Sequence, residues 1–289
     1  MRDYAITTDS SCDFDQALAD SLGVTVVPLS VQIGPRRFRN APGEAMDSHS
    51  FYQLLSQGEL AQTSAPNVEE FKAVWRPILQ SGQDLLYLGF SSGLSGTYHN
   101  AAIAAEDLRE EFPEARIITV DTLCASLGQG MLVDLTVQEK RQGKTLDEAA
   151  AFAEKNRLHL CHWFTVGDLS QLRRGGRLSA GKAIVGNLLN IKPVLHVDDE
   201  GHLVPMASAK GRKKSIEALV SHMEESAVAP EQQRVYISHG DCLADAQLLA
   251  QMVRDRLHVS SVTIGEVGPV IGAHSGAGTL ALFFVGTHR

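Results

Sequence analysis

Several things are scarce in this chain of 289 residues, and each scarcity excludes something. Its four cysteines, Cys12, Cys124, Cys161 and Cys242, stand far apart and form no CxxC or other close pair. Neither a zinc site nor a disulfide framework is expected; the pattern is that of free thiols in a reducing compartment. No uninterrupted apolar run approaches the roughly 20 residues that span a bilayer. Met1-Arg2-Asp3 leads into a short apolar stretch ending at Asp9-Ser10-Ser11, which does not read as a signal peptide. The expected location is the cytoplasm, with no transmembrane segment. Basic charge is also in deficit: the net charge of −8 argues against a general nucleic-acid binder. A GxxxxGK[ST] phosphate loop is missing, as is a GxGxxG turn after a strand. No cofactor and no metal are therefore expected.

What is present is an ordinary globular composition, 44% hydrophobic and 21% charged. In the first half, short β-branched runs at Tyr4 to Thr8, Val24 to Leu29, Leu85 to Phe90 and Arg116 to Asp121 predict strands. Helical patterns lie between and after them, at Asp47 to Gln57, Asn67 to Leu79, Leu94 to Phe112 and Ser126 to Arg141, with another beginning at Thr145. That alternation predicts a mostly parallel sheet covered by helices in three layers. From about His159 strands dominate: His159 to Thr165, Ile191 to Asp198, His202 to Met206, Arg234 to His239, Ser260 to Glu266 and Thr279 to Val285. Helices near Ser215 to Glu225 and Ala244 to Leu257 sit among them, and Asp198-Asp-Glu-Gly201 reads as a hairpin turn. The fold class expected is α/β, with an N-terminal α/β domain over 1–158 and a C-terminal α+β domain over 159–289.

The segment Phe90-Ser-Ser-Gly-Leu-Ser-Gly-Thr-Tyr98 stands between an apolar strand and a helix, where open α/β sheets bind ligands. Its glycines admit close backbone approach, and Ser91, Ser92, Ser95 and the helix amides can donate to an anion. Helix capping alone explains such serines equally well. Two further hydroxyl-rich turns, Asp9-Ser-Ser-Cys-Asp13 after the first strand and Thr63-Ser-Ala-Pro66 before a helix, tilt the balance toward a shared site. Gly93-Leu-Ser-Gly-Thr97 half matches the GxSxG nucleophile elbow, with Thr97 in place of the last glycine. In the second half, Gly272-Ala-His-Ser-Gly-Ala-Gly278 reads as a glycine-rich loop from which His274 reaches an interlobe cleft. His159, Cys161 and His162 alternate as on a strand and do not have metal-ligand geometry. From Arg173 to Lys214, nine basic residues (Arg173, Arg174, Arg177, Lys182, Lys192, Lys210, Arg212, Lys213, Lys214) meet three acidic ones, a local +6 in an acidic chain. Most such runs are solvated faces; a contrast this strong also suits an acidic partner.

At these residues the sequence resembles the DegV family of bacterial lipid-binding proteins, which includes the fatty-acid-binding subunits of fatty acid kinase. The likeness runs nearly end to end, on the three hydroxyl-rich turns and on Val120-Asp-Thr122, Ser126-Leu-Gly-Gln-Gly130, Gly167-Asp-Leu169, Arg174-Gly-Gly-Arg-Leu-Ser179, Ile191-Lys-Pro-Val194 and Ile271-Gly-Ala-His-Ser-Gly276. The resemblance implies a long-chain fatty acid in a tunnel between the lobes, its carboxylate held by Thr63, Ser95 and His274, with Ser64 and Gly96 beside them. It also implies a separate ATP-dependent kinase subunit that phosphorylates the presented carboxylate, so no catalytic residue is expected in this chain. Arg177, Lys210, Arg212 and Lys213 are the expected docking residues. Asn67 stands where the family commonly has serine, and HSGAG where HxGPG is frequent. Two other readings stay open: a stand-alone serine-type hydrolase or acyltransferase using Ser95 or His274, and a carrier of another anionic lipid.

Overall fold

The computed structural model describes residues 2–44, 46–167, 169–179 and 190–289. Asp168 and Lys182, both singled out in the sequence, lie outside the described residues. Strands β1 (Tyr4–Asp9), β2 (Thr25–Val27), β6 (Asp84–Gly89) and β7 (Ile117–Asp121) form a parallel sheet in the order β2-β1-β6-β7. Strands β3 (Ser30–Ile33), β4 (Arg36–Arg39) and β5 (Ala61–Ser64) form a small antiparallel sheet in the order β4-β3-β5. A six-stranded mixed sheet, ordered β10-β9-β8-β13-β11-β12, is built from β8 (Leu160–Thr165), β9 (Ile191–Val197), β10 (Leu203–Lys210), β11 (Arg234–His239), β12 (Ser261–Glu266) and β13 (Leu280–Val285).

Ten α-helices connect the strands among the described residues: α1 (Gln16–Leu22), α2 (Ser48–Ser56), α3 (Val68–Gln80), α4 (Thr97–Glu111), α5 (Ser126–Arg141), α6 (Leu146–Asn156), α7 (Ser170–Arg174), α8 (Arg212–Ser226), α9 (Leu243–Leu257) and α10 (Pro269–Ser275). The central strand β6 shows why the parallel sheet is sandwiched. Its six residues are all buried, and successive side chains point to opposite faces. Leu85 and Tyr87 meet Phe71, Trp75 and Leu108 of α3 and α4, while Leu86 and Leu88 meet Leu132, Val133 and Ala149 of α5 and α6. Asn67 and Thr145 start α3 and α6 with complete capping boxes, the N-terminal signal the sequence carries.

Helix α5 is the joint of the molecule. Its buried residues Leu127, Met131 and Leu132 share one apolar core with Ile6 and Leu88 of the parallel sheet and with Leu160, Phe164 and Phe283 of the six-stranded sheet. Gly128 makes this possible, since a Cβ there would collide with the His162 ring. A division at 158/159 therefore falls between elements whose core is continuous across it.

Four local expectations need correcting. The Val24 to Leu29 strand shortens to β2, because the Leu29 amide turns to donate to Ser10 Oγ at 2.9 Å. The β3-β4-β5 sheet was not expected at all; Gly34, at φ 53, turns the chain from β3 to β4. Thr63 and Ser64 belong to β5 and not to a turn. The glycine-rich loop holding His274 is largely helical, as α10. Glycine in a helix costs about 1 kcal/mol against alanine. Gly272 is nonetheless needed: a Cβ there would lie 2.5 Å from the Tyr52 hydroxyl on α2.

Candidate functional site

A largely apolar cavity opens where the carboxyl ends of the parallel strands face the six-stranded sheet. Phe90 and Leu94 form one wall, Phe164, Leu203 and Phe283 another, and Val270 and Ile271 of α10 close it. The loop after β6 is held there by contact between the sheets. Ser91 Oγ donates to Gly201 O at 2.8 Å in the β9-β10 hairpin. Gly201, at φ 79, and Gly93 leave room for that approach. Ser91 is thus committed to structure, and Ser92 is exposed, its amide donating to Asp121 Oδ1 at 3.2 Å.

Thr63, Ser95, Gly96 and His274 all line this cavity. Thr63 Oγ1 and His274 Nε2 are 2.8 Å apart. Strand alternation puts Thr63 inward and leaves Ser64 exposed on the opposite face, so Ser64 is not brought to the cavity. Ser95 Oγ lies 2.9 Å from Thr97 Oγ1 and accepts the Thr97 amide at 3.3 Å. Gly96 is exposed, which places this end of the cavity at the solvent. His274 Nδ1 and Ser275 Oγ are buried and have no hydrogen-bond partner among the described residues. Burial, helped by the positive charge of Arg177, pushes His274 down to about 4, so its imidazole is neutral near pH 7. Gly175 allows the ring its position, since a Cβ there would run into Nδ1.

Arg177, expected on a docking face, is instead a cavity residue. Its Nε donates to Leu94 O at 3.1 Å and its Nη1 to Gly175 O at 2.5 Å, which turns the guanidinium inward. Lys210, Arg212 and Lys213 do not join it. Lys210 ends β10 seven residues from Leu203, roughly 23 Å along the strand at about 3.3 Å per residue. Arg212 is paired with Asp245 at 2.8 Å, while Lys210 and Lys213 are exposed.

The turn Asp9 to Asp13 does not line the cavity; it is scaffold. Asp9 is fully buried and accepts from Tyr87 Oη at 2.7 Å, the Phe90 amide at 2.9 Å and Gln129 Nε2 at 3.2 Å. These bonds tie β1 to the loop that carries Ser95. Four polar lining residues were not among the expected site residues: Ser126 and Ser275, which fell inside quoted motifs, and Ser238 and Thr279. Ser238 carried a signal, as the one small hydroxyl in the otherwise apolar Val235-Tyr-Ile-Ser run. His162 also lines the cavity; Nδ1 donates to Leu160 O at 2.8 Å and Nε2 accepts the Ala125 amide at 3.3 Å, a neutral and fully committed ring.

Among the described residues the hydrogen bonds of Ser95 Oγ go to Thr97, and none goes to a histidine. Asp198, Glu200 and His202 bring ligand-type atoms within 4.8 Å of one another on the β9-β10 hairpin. Asp198 Oδ1 there accepts the Glu200 and His202 amides, which closes the turn.

Comparison with known proteins places this geometry. The family model described as "uncharacterised protein, DegV family" matches residues 3–287. A DegV domain-containing protein of Clostridium perfringens is 41% identical over 286 residues, covering 99% of this chain and 98% of that protein. Among solved structures, a DegV family protein of Thermus thermophilus described for its fatty acid binding is 33% identical with a TM-score of 0.87, covering 98% and 99% of the two chains. Bacillus subtilis DegV, described as a fatty acid binding protein, is 27% identical with a TM-score of 0.85 over 98% and 99%.

Proposed function

The chain belongs to the DegV family, and from that premise we propose that it binds a long-chain fatty acid in the cavity between its sheets, carboxylate toward Thr63, Ser95 and His274. The observation that carries the reading is the Thr63–His274 pair at 2.8 Å in the wall of a largely apolar cavity. Such a cavity suits an acyl tail. Hydroxyls, an imidazole and the nearby Arg177 suit one negative charge, whose burial is costly unless it is hydrogen-bonded. The DegV proteins of Thermus thermophilus and Bacillus subtilis described as binding fatty acids support the same occupant.

The exposed Gly96 beside Ser95 leaves the head-group end accessible, which fits a protein that hands its ligand to another. In this reading an ATP-dependent kinase subunit phosphorylates the presented carboxylate, and this chain performs no transfer alone. Saturating oleate or palmitate should raise the melting temperature of delipidated protein, because a ligand that binds only the folded state stabilises it by mass action. Acetate should not. Melting unchanged by both long-chain acids, after verified delipidation, ends the proposal.

A further inference from the structure

The cavity has a second polar patch, on the wall built by α5 and β11. Ser126 opens α5 in the left-handed region, at φ 54, which turns its side chain toward β11. Ser126 Oγ lies 2.5 Å from Asp13 Oδ2 and 3.0 Å from Ser238 Oγ. Both serines are buried and both line the cavity. Asp13 stands behind them, and its other oxygen accepts the Gly268 amide at 3.1 Å. The row therefore runs from the Asp13 carboxyl through Ser126 to Ser238, which is the last hydroxyl before the cavity.

A hydroxyl has one donor and two acceptor sites. Among the described residues Ser238 Oγ uses one of them, toward Ser126. Ala281 is its cross-strand partner on β13, and the apolar Phe283 and Val267 line the same cavity. A run of methylenes crossing this point leaves that capacity unmet. A hydroxyl on the chain meets it: Ser126 donates to Asp13, so Ser238 donates to Ser126 and keeps only acceptor capacity for the ligand. We infer that Ser238, backed by Ser126 and Asp13, is a second polar subsite of the cavity, which takes a hydroxyl substituent partway along an acyl chain. This rests on the fatty-acid reading of the same cavity.

The test titrates delipidated protein with stearate and with stearates that carry a single hydroxyl at successive carbons. Burying an unmatched hydroxyl costs about tenfold or more in affinity, whereas a matched one is nearly neutral or favourable. Hence one isomer, or two adjacent ones, should bind as tightly as stearate or tighter, and the others about tenfold more weakly. Ser238→Ala should erase the distinction while holding stearate affinity within about threefold, which also shows that the cavity is intact. Should the alanine variant lose stearate binding, Ser238→Cys, similar in size but a poor hydrogen-bonding partner, replaces it. Equal weakening of every isomer in the wild type overturns the subsite. So does a preferred isomer that survives the Ser238 substitution. Failure of stearate itself to bind the wild-type protein is a different result and overturns the fatty-acid reading beneath it.

Discussion

At the scale of single residues, the head-group site balances a neutral imidazole against the half-buried Arg177. His274 is held down to about 4 by burial and Arg177, so Arg177 carries the positive charge there near pH 7. The acyl tail should nevertheless dominate affinity. About fifteen methylenes at roughly 0.8 kcal/mol each outweigh one charged hydrogen bond of roughly 1.5 to 3 kcal/mol. Thr63→Ala, Ser95→Ala, His274→Ala and Arg177→Gln should each weaken oleate binding by about tenfold to a hundredfold and not abolish it. Phosphorylation by a kinase partner should suffer more, since transfer needs a positioned oxygen. Unchanged affinity and transfer across the series would place the head group elsewhere.

Two partly buried groups also give opposite pH signatures. Burial pushes Asp13 up to about 7, so the folded state keeps its proton where the unfolded chain, at about 3.8, has lost it. The stability contributed by the protonated acid is full below about 3.8 and is lost as pH rises toward 7. His274, lowered from 6.5 to about 4, contributes stability that is full above 6.5 and is lost as pH falls toward 4. Asp13→Asn should therefore gain on the wild type as pH rises from about 4 to about 7, and His274→Ala should gain as pH falls over the same range. Thermal melts at several pH values check both; parallel curves for either variant and the wild type would show that its group does not titrate in that window.

At the scale of elements, the deciding piece is α10. It is only seven residues long, and its neighbours place it. Tyr52 of α2 donates to Val267 O at 2.8 Å just before the helix, Asp13 accepts the Gly268 amide, and Gly272 lets the helix settle on the Tyr52 ring. Gly175, ending α7, sits against the His274 ring at the other end. Gly175→Ala should push that ring off Thr63 and weaken oleate binding by about tenfold, with a smaller effect on melting temperature. Tyr52→Phe should do the reverse, costing about 1 to 3 kcal/mol of stability through the stranded Val267 carbonyl. Calorimetry and denaturant melts on both variants separate the two roles; equal effects would mean that α10 moves as a rigid extension of the core. Helices α3 and α6 were legible because their capping boxes mark where each begins. Helix α10 was not legible, because it has only seven residues, Gly272 lies within it and glycines stand at both caps, a pattern that reads as a loop until packing overrides it.

At the scale of the whole molecule, the cavity and the basic patch are far apart. Lys210 and Lys213 lie at the far end of β10 from the cavity-lining Leu203. Charge reversal at Lys210, Arg212 and Lys213 should slow association with an acidic kinase subunit, most at low salt, and leave oleate affinity nearly intact. Association rates against ionic strength, beside lipid titrations, check this; equal loss of lipid binding would show that the patch supports the cavity. Arg212 adds a structural cost of its own through its pair with Asp245.

By itself the sequence determined what is local. The strand-and-helix alternation specified the parallel sheet, the capping boxes specified where α3 and α6 begin, and the motif at Ser91 to Tyr98 marked one wall of the site. The short apolar runs agree with the described residues, in which no helix is long and apolar enough to cross a membrane. Only the tertiary structure decided which hydroxyls share a cavity. Thr63 and His274 meet across 211 positions, Ser126 and Ser238 across 112, and Arg177 turns inward because two carbonyls face it. Residues so distant in the chain carry no periodic signal of their meeting. Their distance is set by how α5 and α10 pack between sheets, through contacts such as Tyr52 to Val267 and Asp13 to Gly268 that themselves join segments far apart in the chain.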